Sequence, residues 1–476
     1  MLRKHQFSGH KTSKRLAMSE NKHRKQHEVE HTDGVVDCIS NLPDCILHHV
    51  LSFLPTKEVV KTSVSSKRWK NLWASVPNLD FDDTLLYASE ADCKHSPELT
   101  SFMDFVERII WSRDASKIEK FRLSCRVCFN SSQISSWISY AIMNNVRELD
   151  LCLFAEDSST IPQSIFDCKS LAILKIEMNC AIEIPSCIYL PCLKTLHLSL
   201  VTFPNDESTE KLFSSCPVLE ELVLLDCDCV NLKSLAISSL SLKRLIIDDL
   251  PVYDPDGCKI KIDAKNLTHL EYIGYLSNEI FLNNIPSLVK ASIHIPILHL
   301  RKKEAACRVI DLLKQLRNVV SLRVSNRTVE SLLCADKMLT LFPFYPNLTH
   351  LVLTMEVGNY TFGTFMSLLN FCPALQSISL SEGFDRCMRL GESDVIWLLV
   401  PVCISFHLKT LTFRNFHSND SEICFVKHVL KYAHVLEKMD IWWCKTEPRD
   451  VKKQRDVMKE LEIVEKSSAA CIINFS

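Results

Sequence analysis

The chain has 476 residues, of which 47% are hydrophobic and 24% are charged, and its formal net charge at pH 7 is −2. This length predicts several domains, or a repeat array with an appended module, and the composition is that of a folded protein. The near-neutral charge and the eight glycines, with no GxGxxG or GxxxxGKS/T motif, argue against a nucleic-acid-binding polyelectrolyte and a nucleotide-binding enzyme.

The N-terminal segment, residues 1–36, is predicted to be a disordered basic tail. Its first 31 residues contain eight Lys or Arg against three Glu, and this balance is typical of a solvated segment. A nuclear-localisation signal is the alternative. No secretory signal is recognisable at this end, and the longest apolar run, residues 395–404, is too short to cross a membrane. We therefore expect a nuclear or cytoplasmic chain without a membrane partner.

Three short amphipathic helices are predicted between residues 42 and 77. The first ends before Pro55, because the residue before a proline is disfavoured in the helical region. Its apolar stripe contains Ile46, Leu47, Val50, Leu51 and Leu54. Thr56 is expected to N-cap the second helix, and the third carries Trp69, Leu72 and Trp73. Such a small module buries little surface by itself, so it is expected to pack against another body.

The order of residues in this module resembles the F-box motif of plant F-box proteins. The matching segments are Leu42-Pro43-Asp44, Ile46-Leu47, Ser52-Phe53-Leu54-Pro55, Ser66-Lys67-Arg68-Trp69 and Leu72-Trp73. The resemblance implies an F-box at residues 37–80 that binds a Skp-type adaptor and, through it, a cullin/RING ligase. The adaptor-binding residues it implies are Leu42, Pro43, Ile46, Leu47, Leu51, Leu54, Val59, Val64 and Leu72. If the first helix also forms the module's own core, only part of this set can contact the adaptor.

An apolar-x-x-apolar-x-apolar pattern then recurs along the chain. It starts at Ile118, Val146, Leu171, Leu193, Leu219, Leu242, Leu267, Leu288, Val319, Leu348, Leu375, Leu408 and Leu436. The intervals run from 21 to 33 residues with a mean near 26, which is typical of leucine-rich repeats. We therefore predict an α/β solenoid, an irregular repeat array over residues 81–407 whose stacked strands share one core.

The polar positions of these strands are predicted to line a concave binding face. The candidate target-binding residues on it are Arg244, His269, His294, Arg323 and His350. For each of them a plain solvated strand position is the alternative. Because the signs of charge alternate along the face, a protein or peptide partner is favoured over nucleic acid.

Residues 408–443 combine a strand, an acidic loop, an amphipathic helix and a final strand. This stretch resembles the FBD region that follows the repeats in many plant F-box proteins. We predict that residues 408–476 form a C-terminal cap on the last repeat.

No catalytic residue, metal site or cofactor is expected. Cys125 and Cys128 form a CxxC pair without a second pair at zinc spacing. The segment Asp254-Pro-Asp256-Gly257 lacks the third ligand of a calcium loop, so a surface turn is expected. The 22 cysteines should be reduced thiols.

The resemblance implies a non-catalytic substrate receptor of an SCF-type ubiquitin ligase, with an unidentified target protein. Two alternatives remain open: a protein-binding scaffold that no longer recruits a ligase, and a receptor whose repeats close around a small molecule.

Overall fold

The computed structural model describes residues 39, 42–83, 97–114, 117–126, 131–154, 161–249, 258–274, 279–295, 302–325, 328–329, 342–354, 362–381, 400–445 and 451–476. The predicted basic tail, the turn at 254–257 and Cys128 lie outside these residues. The chain divides into two compact units, Met1–Pro43 and Asp44–Ser476. In the first unit, the Leu42 amide donates to the Ile39 carbonyl at 3.1 Å.

The second unit begins with the helical module. Helices α1 (Asp44–Leu51) and α2 (Thr56–Lys61) are followed by 3₁₀ turns at Thr62–Val64 and Trp69–Ser75. Its small core contains Leu47, Leu51, Val59, Leu72 and Val76, with Trp69 and Trp73 packed against it. The predicted N-cap at Thr56 is wrong, because Pro55 occupies the cap position and its side chain accepts no hydrogen bond from the helix. The buried Thr56 hydroxyl instead accepts the Asp80 amide at 2.7 Å.

Within the described residues, a fifteen-stranded parallel sheet runs through the rest of the unit. Its strands are β1 (Asn78–Asp82), β2 (Lys120–Cys125), β3 (Glu148–Leu153), β4 (Ile173–Met178), β5 (Thr195–Ser199), β6 (Glu221–Leu225), β8 (Arg244–Asp249), β10 (His269–Gly274), β12 (Lys290–His294), β13 (Ser321–Ser325), β14 (His350–Thr354), β15 (Ser377–Leu380), β16 (Thr410–Phe416), β17 (Lys438–Trp443) and β18 (Ile472–Phe475). The predicted solenoid is confirmed.

All thirteen strands predicted from the apolar pattern are present, and each begins two residues after the first apolar residue of its pattern. Alternate side chains face the core, as the buried–intermediate alternation of β4 and β5 shows. The strands β1 and β18 at the two edges were not predicted. Both fit the same pattern, since Val76-x-x-Leu79-x-Phe81 precedes and fills β1. The predicted boundary at residue 80 therefore falls inside a strand.

The other side of the core is formed by helices at both ends and by strands in the middle. The helices are α3 (Pro97–Ser112), α4 (Ser131–Met143), α5 (Asp206–Ser214), α6 (Lys302–Gln315), α7 (Phe362–Leu369), α8 (Val402–Phe406), α9 (Asp420–Tyr432) and α10 (Val451–Glu462). In the middle, β7 (Ser234–Ser238), β9 (Lys259–Asp263) and β11 (Ile280–Asn283) form a second parallel sheet. The sequence Lys-Ile-Lys-Ile-Asp of β9 alternates with period two, which favours a strand over a helix.

The predicted C-terminal cap contributes strands β16, β17 and β18 to the large sheet. Helix α9 starts with a capping box: the Asn419 side chain accepts the Glu422 amide at 2.9 Å, and the Glu422 carboxylate accepts the Asn419 amide at 3.3 Å. The same carboxylate accepts the His417 amide at 2.9 Å. Residues 408–476 thus continue the repeat architecture to the end of the sheet.

Leu222 on β6 tests how far the core depends on one strand position. Its side chain is 0% exposed, so Leu222→Ala should lower the free energy of unfolding by about 2–5 kcal/mol through lost burial and a cavity. Lys261→Ala, at an exposed position of β9, is the control and should stay within about 0.5 kcal/mol of the parent. Urea unfolding followed by circular dichroism measures both. Equal midpoints for the two variants would contradict this assignment of the core.

Glu422 should make stability depend on pH. Burial raises the pKa of its carboxyl to about 7, although backbone amides and Lys453 oppose the shift. The folded chain therefore holds this proton more tightly than the unfolded chain, and stability present below about pH 4.5 is lost as the pH rises through 7. The loss should be on the order of 3 kcal/mol.

Glu422→Gln keeps an oxygen acceptor for the helix cap but cannot ionise, so it should remove this pH dependence and be more stable than the parent above neutral pH. Glu462→Gln, on the exposed face of α10, is the matched control. Thermal unfolding at a series of pH values compares the three proteins. If the parent and Glu422→Gln show parallel profiles, the buried carboxyl is not responsible.

Candidate interaction surfaces

The helical module exposes several large apolar side chains in the second unit. Helix α1 separates them by its period: Leu47 and Leu51 face the small core, while Ile46 and Val50, also four residues apart, face solvent. Phe53 and Val64 are 74% and 88% exposed, respectively. We call Ile46, Val50, Phe53, Leu54 and Val64 the exposed apolar set. Single exposed apolar residues are common on proteins, but five within twenty residues of one small module are typical of an interaction surface.

The structure divides the nine residues expected to contact an adaptor. The side chains of Leu47, Leu51, Val59 and Leu72 are buried in the module's own core. They support the helices and are not available on the surface, so the expectation of direct contact is corrected for these four. Leu42 and Pro43 in the first unit, and Ile46, Leu54 and Val64 in the second, are exposed, and their contact with an adaptor stays a prediction.

Val50 and Phe53 belong to the exposed set although neither was among the nine. The signal for Val50 was its spacing of four residues from Ile46 on an eight-residue helix. Phe53 follows the end of α1, where its ring contacts His49 with centroids 5.0 Å apart.

Hydrogen bonds tie the module to the first strand of the sheet and to Arg113, the residue that follows α3. Besides the bond from the Asp80 amide to Thr56, the Asn78 side-chain amide donates to the Ser52 carbonyl at 3.0 Å. Arg113, at the end of α3, donates to the Val76 carbonyl at 2.6 Å. Because β1 also pairs with β2 over its full length, the exposed apolar set is held in a fixed position relative to the sheet.

The second candidate surface is the solvent-facing side of the large sheet, which corresponds to the predicted concave face. The strand register aligns the solvent-facing residues in rows that run across the strands. We call the row formed by the first residue of each strand the first row. The second and third rows lie two and four residues further along each strand. From β8 to β14 the first row reads Arg244, His269, Lys290, Ser321 and His350. Arg323 lies in the second row, opposite Ser292 and Val352, and His294 lies in the third row. The five predicted residues therefore share one face but occupy three rows.

Charges on this face are paired towards the N-terminal end of the sheet. Arg122 contacts Asp80 at 2.9 Å and Asp82 at 3.2 Å, and Lys120 contacts Glu148 at 2.8 Å. These bridges join neighbouring strands and reinforce their register, although each exposed pair contributes little by itself. Nearer the middle, Arg244 pairs with Glu221 at 3.2 Å.

Two histidines of the first row are held in the same way. Each lies in an Asn-Leu-Thr-His-Leu segment, at residues 266–270 and 347–351. The Thr268 hydroxyl donates to the Lys243 carbonyl at 2.9 Å and lies 2.8 Å from Nδ1 of His269. The Thr349 hydroxyl donates to the Val320 carbonyl at 3.2 Å and lies 2.7 Å from Nδ1 of His350.

This arrangement engages Nδ1 of each imidazole with a threonine hydroxyl. A hydroxyl has one hydrogen, so when that hydrogen is given to the backbone carbonyl, the hydroxyl oxygen accepts from Nδ1–H of the histidine. The second nitrogen, Nε2, is left for other contacts on the sheet face. Burial lowers the pKa of His269, with Lys290 and Arg244 as further causes.

Among the residues with described positions, no group of three or more His, Cys, Asp or Glu side chains could hold a metal ion. Cys125 is buried, and burial raises the pKa of its thiol, with Asp83 as a further cause; its CxxC partner lies outside the described part of the chain. No helix within the described ranges has the length and apolar character needed to span a bilayer.

Both the helical module and the repeat region match models of known protein families. Residues 39–81 match the F-box domain model, and residues 109–475 match the family described as At1g61320/AtMIF1, LRR domain. The first match ends in β1, and the second reaches β18.

Three relatives from Arabidopsis thaliana extend the similarity over nearly the whole chain. F-box protein At3g59000 is 32% identical over 443 residues, covering 86% of this chain and 87% of its own length. F-box/LRR-repeat protein At4g14096 is 30% identical, covering 92% of this chain and 95% of its own length. A protein designated F-box/FBD/LRR-repeat, At3g59240, is 31% identical, covering 88% and 86%, respectively.

Proposed function

The chain belongs to the family of F-box/LRR-repeat proteins, and on that premise we propose that it is the substrate-recognition subunit of an SCF-type, cullin-based ubiquitin ligase. In this role the helical module binds a Skp-type adaptor and the repeats bind a target protein. The chain performs no covalent chemistry itself. It holds a lysine of the target near the activated ubiquitin, and this proximity raises the effective concentration of the reactants.

The exposed apolar set is the observation that carries the proposal. Its members lie within the segment that matches the F-box domain, and they project from a module whose own core is already filled by Leu47, Leu51 and Val59. A second set of apolar side chains outside a filled core supports a role in binding a partner, where buried apolar residues concentrate binding energy.

The hydrogen bonds between the module and β1 support a rigid connection between adaptor and target. A receptor that positions a target must keep a defined distance between the two bound proteins, because a flexible linker would dilute the effective concentration. The direct pairing of β1 with β2 gives the module no independent linker.

We expect Ile46→Asp together with Val50→Asp to abolish capture of a Skp-type adaptor. Both positions are exposed on α1, so the fold should be retained, while two carboxylates would be desolvated at the interface and weaken binding by more than about tenfold. Leu240→Asp changes a residue that is also exposed but lies between β7 and β8, and it should bind like the parent. Co-purification with the adaptor and titration calorimetry measure the effect.

Two outcomes would contradict the proposed role. Full-strength adaptor binding by the double Asp variant would remove α1 from the interface. A folded parent chain that binds no Skp-type adaptor would contradict the ligase role and favour the scaffold alternative.

The proposal places the chain in the nucleus or cytoplasm, where thiols remain reduced. A thiol titration of the denatured, freshly isolated protein under non-reducing conditions should therefore approach all 22 cysteines. A count lowered by several pairs would indicate disulfides and an oxidising compartment.

A further inference from the structure

We infer that the sheet face from β8 to β14 binds an extended, acidic peptide segment of the target protein. The inference rests on the proposed function, because it names the chemistry of the target that the repeats would hold. The inference rests on four basic residues of the first row, Arg244, His269, Lys290 and His350, and on Arg323 in the second row.

The register determines the length of ligand that fits. Parallel strands are about 4.8 Å apart, so the first row extends about 19 Å from Arg244 on β8 to His350 on β14. An extended peptide advances about 3.3 Å per residue, so about six residues laid across the strands would cover this distance. Such a peptide could place carboxylates above successive side chains of the row.

The distribution of charge selects an anionic ligand. Between β8 and β14 the first row contains Lys290, two histidines and Arg244 and no acidic side chain, and Arg244 pairs with Glu221 of the neighbouring strand β6. Within the described residues, Lys290 and Arg323 are exposed and have no carboxylate within ion-pair distance. This differs from the N-terminal strands, where Lys120 and Arg122 contact carboxylates of neighbouring strands.

Acidic side chains on this part of the face lie off the first row. Glu271 is in the second row on β10, and Asp248 is in the third row on β8. Their negative charge would mark the edge of the site and would repel a broad ligand that carries negative charge over its whole width. A narrow peptide fits this pattern better than a nucleic-acid backbone, which requires a broad cationic surface.

His269 and His350, which have the same hydrogen-bonding arrangement, would donate directional hydrogen bonds to the peptide. When Nδ1–H of His269 and His350 is donated to Thr268 and Thr349, the second proton enters at Nε2. The imidazolium would then donate Nε2–H to a carboxylate of the peptide, and charge-assisted bonds of this kind are among the stronger ones. Binding of the peptide should therefore be accompanied by proton uptake.

The surroundings of each histidine decide the sign of the pH effect. In the first row His269 lies between Arg244 on β8 and Lys290 on β12, and Glu271 is two residues further along its own strand. Arg244 also pairs with Glu221 on β6, whereas Asp248 and His294 lie opposite Ile273, four residues away. His350 faces Ser321 and Arg323 on β13 and Ser377 on β15. Burial, Lys290 and Arg244 disfavour protonation of His269 in the free chain, whereas a bound carboxylate favours it, so affinity should rise as the pH falls from about 8 to 6.

The test uses the full chain co-purified with a Skp-type adaptor. The probe is a fluorescein-labelled peptide of about twelve residues in which Glu and Ser alternate, and its control carries Gln in place of every Glu. Fluorescence polarisation at low ionic strength should show binding of the Glu peptide that is at least about tenfold tighter than that of the Gln peptide.

Two pairs of substitutions with equal loss of charge locate the site. Lys290→Gln with Arg323→Gln should weaken binding of the Glu peptide by at least about tenfold. Lys261→Gln with Lys265→Gln removes the same charge from β9 and the turn after it, where both lysines are exposed, and should leave the affinity unchanged. His269→Gln with His350→Gln should abolish the gain in affinity between about pH 8 and 6.

The outcomes separate this inference from the proposed function. Two results would overturn the inference while adaptor capture remains intact. One is equal affinity for the Glu and Gln peptides. The other is an equal loss of affinity for the Glu peptide in the Lys290/Arg323 and Lys261/Lys265 variants. Tighter binding of a single-stranded oligothymidylate than of the Glu peptide would overturn it in favour of a nucleic-acid partner. Loss of adaptor capture by the parent chain, with selective peptide binding retained, would contradict only the ligase role.

Discussion

Backbone hydrogen bonding between parallel strands in constant register is the interaction on which the rest of the structure depends. Each strand from β1 to β18 in the large sheet pairs with its neighbours so that its first residue lies opposite the next strand's first residue. The side-chain period of two then sends one set of residues into a shared core and the other to solvent. A slip of one residue would reverse both sets, so register fixes the core and the solvent-facing side of the sheet together.

The same interaction joins the helical module to the repeats. Because β1 follows the module directly and pairs with β2, the bonds from Asp80 to Thr56 and from Asn78 to Ser52 link helices to sheet without a spacer. In a quasi-one-dimensional array, contacts extend only between neighbouring repeats. The first repeat is therefore the place where the position of the exposed apolar set is defined relative to the sheet face. This geometry supports a receptor that holds two proteins at a set distance.

Sequence patterns predicted those features that depend on apolar periodicity. Thirteen strands followed from one repeated pattern, and the alternation within each strand identified the solvent-facing residues. The edge strands β1 and β18 also carried the pattern but lay at the borders of other predicted segments. The second sheet of β7, β9 and β11 was missed because it lies between pattern positions, where helices are usual.

The division of α1 into two faces could not be predicted from spacing alone. Ile46 and Leu47 are adjacent and similar, and only the positions of Val59, Leu72 and Val76 decide which one is buried. Thr56 was expected to cap α2, but its hydroxyl instead accepts the amide of Asp80 on β1, 24 residues further along the chain. Likewise, the threonines beside His269 and His350 bond to the carbonyls of Lys243 and Val320, the residues that directly precede the neighbouring strands β8 and β13. Such contacts between distant segments arise only in the folded chain.

The central claim, that the helical module and the repeats form one continuous structure through β1, is tested most directly by amide hydrogen exchange of the free chain. We predict that the amides of Asn78–Asp82, apart from those facing the open edge of the sheet, exchange as slowly as those of β2 and β3. Rapid exchange throughout Asn78–Asp82, with β2 and β3 still protected, would show that the module is tethered by a flexible segment and would contradict the account.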